Sequence, residues 1–194
     1  YKIWNNIYNN KRGITHEDIK NIEIIEQQAN HINNSDLFYN LAVIYMNISR
    51  SVKAEKWMAK AAKLYHPYAF HNIGWWYDHG FGHIEEDKAI AASFYNIAYW
   101  KLGVTRSGIR LAEIIFFDEV TEFDADYGIE ILTHMISKPS TFNLEDKSKN
   151  YANLLLGRFY FQLHFSENQE NYLDKAINHF KEASNENDTE ANLF

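Results

Sequence analysis

One stretch of the sequence, from Pro67 to Gly103, contains a pattern of small and aromatic residues that returns along the rest of the chain. In its first segment Ala69, Ile73 and Tyr77 are four residues apart, which places them on one face of a helix. A second segment with helical spacing follows the turn Gly80-Phe81-Gly82. Because one helical hairpin cannot bury its own apolar face, a chain that repeats this unit must stack it against neighbours.

The same register can be followed through five copies of the unit. The apolar anchors of the first helices are Trp4, Leu41, Ile73, Leu111 and Leu156. The matching positions of the second helices hold Ile22, Ala54, Ala91, Gly128 and Ala176. The two registers advance together, which chance periodicity seldom does. We therefore predict an all-α solenoid of about five antiparallel hairpins, at 1–32, 35–66, 67–103, 104–139 and 146–185.

Helix-capping residues, prolines and turn residues predict where the individual helices begin and end. The predicted helices are 2–9, 16–30, 36–47, 51–65, 68–79, 87–102, 105–117, 124–137, 147–162 and 169–184, with the start of a further helix at 189–194. Thr15 and Asp18 form a capping box, Ser35 or Asp36 can cap the third helix, and Pro67 suits a first helical position. The expanded segment after Phe161 predicts a longer loop in the last hairpin.

Composition limits the class of protein. The chain has 194 residues, 46% of them hydrophobic, which excludes a disordered chain and is typical of a folded one. No Pro-, Gly- or Ser-rich stretch separates it into parts, so residues 1–194 are interpreted as a single domain. Cysteine is absent, which excludes disulfides and thiolate sites.

The charge balance argues against a nucleic-acid partner. Asp and Glu total 26 against 19 Lys and Arg, giving a formal net charge of −7, whereas phosphate binding requires clustered cations. A protein partner with a neutral or basic surface is favoured instead. Lysines repeat along one predicted helix, at Lys53, Lys56, Lys60 and Lys63, and are interpreted as a solvated outer face.

The best copy of the repeat resembles the Sel-one-like repeat (SLR), a relative of the tetratricopeptide repeat. The residues that carry this resemblance are Ala69, Ile73, Gly74, Tyr77, Gly80, Gly82, Asp87, Ala91, Phe94, Tyr95 and Ala98. The match extends to 54–62 and 152–184 and is weaker over 107–139 and 1–30. The resemblance implies a right-handed superhelix that serves as a non-enzymatic adaptor, with no catalytic centre and no cofactor.

The resemblance leaves two kinds of partner open, and the residues add a third hypothesis of another class. The first is an adaptor or scaffold in signalling, envelope or secretion assemblies. The second is a bacterial immunity protein that binds and neutralises a cognate toxin. The third is a helical metal protein or enzyme that uses His71, His79 and His83, although the interval between the last two crosses a glycine turn.

The repeat register also predicts a protein-binding surface. Residues two before and two after each anchor point away from the core, toward the concave side of such a stack. With their neighbours, the predicted binding residues are Tyr39, Asn40, Val43, His71, Asn72, Trp75, His79, Arg110, Glu113, Phe117 and Arg158. Leu155 is expected beside them. Trp76 is predicted to be core and Trp75 exposed, because only the register of Trp76 is apolar in the other copies.

The compartment stays open between cytoplasmic and periplasmic or secreted. No apolar run approaches the ~20 residues that span a bilayer. The sequence starts at Tyr1, inside a helix-like pattern, so we expect that a signal peptide, a lipid anchor or upstream repeats have been removed.

Overall fold

The computed structural model of the chain describes residues 15–117, 123–137, 146–167 and 170–184. The described residues form nine α-helices. They are α1 (His16–Ala29), α2 (Ser35–Asn47), α3 (Ser51–Lys63), α4 (Pro67–His79), α5 (Lys88–Trp100), α6 (Thr105–Phe117), α7 (Ala125–Ser137), α8 (Asp146–Glu167) and α9 (Glu170–Ser184). The prediction of an all-α fold is confirmed. The helices predicted at 2–9 and from 189 lie outside the described residues.

The helix starts follow the local capping chemistry. Thr15 and Asp18 form the predicted capping box at α1, and Pro67 occupies the first turn of α4. The start of α2 differs from the prediction, because the Asn34 side chain caps it by accepting from the Leu37 N–H at 2.8 Å. An Asn with extended backbone before the helix caps as well as Ser or Asp does, and the helix therefore starts at Ser35.

The chain divides into two compact units, residues 1–86 and 87–194. This boundary falls between the two helices of the predicted hairpin 67–103. The assignment of residues 1–194 to a single domain stays a prediction, and each unit is described by itself.

The first unit contains α1 to α4, in which each helix packs against the next one along the chain. Its core combines small and aromatic residues, including Phe38, Leu41, Trp57 and Trp76. Alanines on facing helices let the backbones approach, and the rings fill the space between the helix layers. This is the arrangement that the repeat pattern predicts.

A glycine turn closes the first unit after α4. Gly80 and Gly82 have φ values of +73° and +62°, which favour glycine, and Phe81 and Ile84 exchange two backbone hydrogen bonds between them. A Cβ at Gly82 would lie 2.7 Å from Ser51 Cβ, so the turn rests directly on the start of α3. The Phe81 ring stacks on Trp76 with centroids 4.7 Å apart.

The second unit contains α5 to α9, again with each helix packed on the next, and α6 also contacts α8. Glycines permit the closest approaches. A Cβ added at Gly128 would lie 2.7 Å from a Phe159 ring atom, and one at Gly157 would lie 2.5 Å from Phe180. The small positions of the repeat are therefore contact points between helices in this unit.

The prediction of a longer loop after Phe161 is wrong. Helix α8 continues to Glu167, five residues beyond the predicted end at 162. The segment from Phe161 to Glu167 contains neither Gly nor Pro, so nothing in its backbone chemistry ends the helix. The additional residues of this hairpin lengthen a helix instead of a loop.

Candidate protein-binding surface

The predicted binding residues lie on the first helix of each hairpin, and we call them together the first-helix face. In the first unit they are on α2 and α4, and in the second on α6 and α8. None of them is buried. Asn40, Trp75, His79 and Phe117 are exposed, and the remaining members are half-buried.

Trp75 and Trp76 separate as the register predicts. Trp76 is 2% exposed and lies in the core, whereas Trp75 is 40% exposed. The Trp75 ring stacks on His79 at a centroid distance of 4.9 Å, and His79 Nδ1 lies 3.2 Å from the Trp75 carbonyl oxygen. One large ring is thereby held in a defined position at the surface of α4.

A second aromatic cluster on this face joins α2 to the start of α4. Tyr39 stacks on His66 with centroids 4.2 Å apart, and its hydroxyl accepts from Asn72 Nδ2 at 3.4 Å. Tyr68 lies 6.1 Å from the Tyr39 ring. Burial lowers the pKa of His66, while the Asp36 carboxylate acts in the opposite direction. The neutral imidazole is favoured, which suits a stacked ring.

His66 and Tyr68 were not among the predicted residues. His66 is the residue before α4 and Tyr68 lies in its first turn, and neither is a position that the register counts from the anchor Ile73. Their aromatic character beside Pro67 is the only sequence signal that could have found them.

In the second unit the charged residues of the face form a hydrogen-bonded cluster. Glu113 accepts hydrogen bonds from Arg110 Nη1 at 2.8 Å and from the Tyr151 hydroxyl at 2.5 Å. Burial and the bond to Glu113 raise the pKa of Tyr151 to about 12, and the charge of Arg158 opposes the shift. Tyr151 was also missed by the sequence analysis, although it lies seven residues before Arg158 on the same helix face.

Phe117 and Leu155 were both expected on or beside the face, but they differ in exposure. Phe117 is 55% exposed at the end of α6, where its ring packs edge-on against Phe116 at 4.7 Å. Leu155 is 0% exposed, so the expectation that it flanks the face is wrong. It lies next to the anchor Leu156, and on α8 both residues point into the core.

The histidines of the metal hypothesis have other neighbours. His79 contacts Trp75, and His83 Nε2 lies 3.2 Å from Glu55 Oε2 on α3. Within the described ranges no three His, Asp or Glu side chains are close enough together to hold a metal ion. The geometry gives this hypothesis no support.

No helix in the described part of the chain has the length and apolarity needed to cross a bilayer.

Known proteins resemble this chain in structure. No protein-family model and no curated protein matches the sequence. A protective antigen of uropathogenic Escherichia coli strains, which displays an SLR fold, superposes with a TM-score of 0.66 and 16% identity over 88% of this chain. A Sel1 repeat protein from Oxalobacter formigenes superposes with a TM-score of 0.64 and 18% identity, also over 88%.

The chain spans 34% of the length of the first of these proteins and 65% of the second. At this level of identity the likeness concerns the fold. The α-helical repeat architecture that the small and aromatic positions predict is thus confirmed, and the fold of this chain is that of the Sel1-like repeat (SLR) proteins.

Proposed function

We propose that this chain is a non-enzymatic protein-interaction module and that its first-helix face binds a protein partner. The observation that carries the proposal is the exposed, stacked ring of Trp75. Tryptophan contributes more to protein interfaces than almost any other residue, and a ring that is already held in place loses little freedom on binding.

The surroundings of Trp75 suit a protein interface. Half-buried rings and amides border it on α4 and α2, among them Asn72 and Tyr39. Such a mixture offers apolar contact area together with hydrogen-bonding groups, which is the usual composition of a hot spot and its rim. In the second unit, Arg110 and Glu113 supply charge and Phe117 supplies an exposed ring.

The partner that fits has a neutral or basic surface. The chain carries a formal net charge of −7, so a basic protein would be attracted over distances of about a Debye length, near 8 Å at physiological salt. A toxin and a component of an envelope or secretion assembly both remain within this proposal.

The test replaces Trp75 by Ala in the full chain and measures affinity for a co-purified partner by calorimetry. Loss of a central Trp contact costs about 2 kcal/mol or more, which corresponds to about thirtyfold weaker binding. Val52→Ala is the matched control, because Val52 is an exposed apolar residue (69%) on α3, outside the first-helix face. Circular dichroism checks that both variants remain folded.

Equal affinity of Trp75→Ala and Val52→Ala for the partner would show that the partner does not bind at Trp75. The second unit is tested separately by Phe117→Ala combined with Arg158→Ala. A single tight partner in one-to-one ratio favours toxin neutralisation, whereas several weakly bound partners favour an adaptor.

A further inference from the structure

A groove crosses the edge of the first unit on elements that do not belong to the first-helix face. It lies between the segment that follows α1, the side of Phe38 on α2 and the last turn of α3, and has a volume of about 440 Å³. Ile32, Phe38 and Leu64 supply its apolar wall, and Ile32 is 49% exposed. A volume of this size accepts one or two large side chains.

Two lysines of α3 form the other wall of the groove. Lys60 Nζ donates a hydrogen bond to Asn30 Oδ1 at 2.9 Å and lies 4.1 Å from the centroid of the Trp57 ring. Lys63 follows it in the last turn of α3 and is exposed. The ammonium group of Lys60 is therefore held at the groove. It has three N–H donors, and Asn30 accepts from one of them.

These lysines differ from their neighbour Lys53 in how their charge is balanced. Lys53 Nζ lies 2.7 Å from Glu26 Oε2, and a cation paired in this way has little left to offer a ligand. In the described part of the chain no carboxylate lines the groove or forms an ion pair with Lys60 or Lys63. Lys63 is exposed, as expected for a solvated lysine face, and Lys60 is a half-buried residue whose hydrogen bond to Asn30 lies at the exposed surface.

We propose that this groove binds an acidic peptide segment of a protein partner, with a large apolar side chain against Ile32 and Leu64 and a carboxylate at Lys60 and Lys63. A cation that is held by Asn30 and Trp57, has no paired carboxylate and lies beside an apolar wall is complementary to such a segment. Although the whole chain is acidic, salt screens its distant charges, and the described lining of the groove includes Lys60 and Lys63 but no Asp or Glu. The first-helix face takes no part in this site.

The experiment titrates the ¹⁵N-labelled full chain with a nine-residue peptide of alternating Glu and Leu and follows amide chemical shifts. The matched probe replaces every Glu of the peptide by Gln. We expect shifts at the amides of Asn33 and Leu64, and at least about tenfold weaker binding of the Gln peptide, because exposed and charge-assisted contacts together contribute on this scale.

The variants separate the groove from general electrostatics. The double variant Lys60→Met, Lys63→Met keeps the apolar stems and should weaken binding of the Glu peptide by about tenfold. Lys56→Met, on the same helix but outside the groove, should leave binding unchanged. Lys63→Met alone, at an exposed position, keeps the test valid if the double variant misfolds, with an expected loss of about threefold.

Three outcomes would overturn the proposal. The first is equal binding of the Glu and Gln peptides, and the second is an equal loss with Lys56→Met. The third is saturation of the same shifts by inorganic phosphate or by anionic vesicles at concentrations where the peptide gives none. Trp75→Ala should leave peptide binding unchanged, so failure of this proposal and failure of the first-helix face are distinguishable.

Discussion

Glu26 in the first unit and Glu113 in the second are both carboxylates bound by a tyrosine hydroxyl and a cation, and they are comparably shielded, with 14% and 16% of their side chains exposed. Glu26 accepts from Tyr45 at 2.8 Å, from Lys53 at 2.7 Å and from Trp57 Nε1 at 3.0 Å. Similar chemistry is thus built into both units.

The difference lies in the register of the tyrosine and the acceptor. Tyr45 is four residues after the anchor Leu41, a core position, and the Glu26 cluster joins α1, α2 and α3. Glu113 is two residues after its anchor, a position of the first-helix face, and its hydrogen bonds to Arg110 and Tyr151 lie on α6 and α8. We call the Glu26 cluster, which includes the buried Tyr45 and Trp57, the internal clamp. The Glu113 cluster consists of half-buried residues and includes part of the first-helix face.

The largest expected effect comes from removing the internal clamp. Glu26→Leu leaves the Trp57 N–H, which is in the core, and the Lys53 ammonium without their acceptor, and should lower the free energy of unfolding by about 3 kcal/mol. Urea unfolding of the full chain, followed by tryptophan fluorescence, measures the loss.

Glu113→Leu is the matched variant in the other unit. It removes two donor contacts instead of three, and neither donor belongs to a fully buried residue such as Trp57, so about half the effect is expected. If Glu26→Leu and Glu113→Leu lower the free energy of unfolding by the same amount, the Glu26 cluster does not stabilise the fold more than the Glu113 cluster.

Helix boundaries could be predicted because helical periodicity and caps are local. Apart from the end of α8, the described helices start and end within two residues of the predicted bounds. The separation of Trp75 from Trp76 followed from register alone. The predicted end of α8 followed the spacing of the repeat. The helix continues beyond it because the next residues include no Gly or Pro.

The side-chain clusters could not be predicted in the same way. Tyr151 and Glu113 are 38 residues apart, and Trp57 and Glu26 are 31 apart, so their contacts depend on how separate helices pack. The register states which face a residue occupies. It does not state which donor on a neighbouring helix reaches that residue.

A smaller effect is expected from alkaline pH, acting through Tyr151. Burial and Glu113 raise its folded pKa to about 12, above the ordinary value near 10, so the neutral phenol stabilises the fold. This contribution is fully present below pH ~10 and is lost as pH rises toward 12. Solvent screening reduces it to about 1 to 2 kcal/mol.

Comparison of the wild-type chain with Tyr151→Phe isolates this contribution. Unfolding free energies measured between pH 9 and 12 should fall less steeply in the variant, because Phe has no proton to lose. Tyr45, whose pKa is also raised to about 12 by burial and by Glu26, stays in both chains and provides the common background. Parallel pH profiles would contradict the assignment of this cluster.

The smallest expected effect belongs to Tyr39, which places a tyrosine hydroxyl on the first-helix face of the first unit. The Asn72 contact to this hydroxyl is long, at 3.4 Å, and involves no charge. Loss of this contact in Tyr39→Phe should therefore change the unfolding free energy by less than about 0.5 kcal/mol. Tyr39→Leu also removes the ring that stacks on His66 at 4.2 Å and should cost about 1 kcal/mol. A loss with Tyr39→Phe as large as that with Tyr39→Leu would mean that the hydroxyl of Tyr39, and not the stacking of its ring, stabilises this contact between α2 and α4.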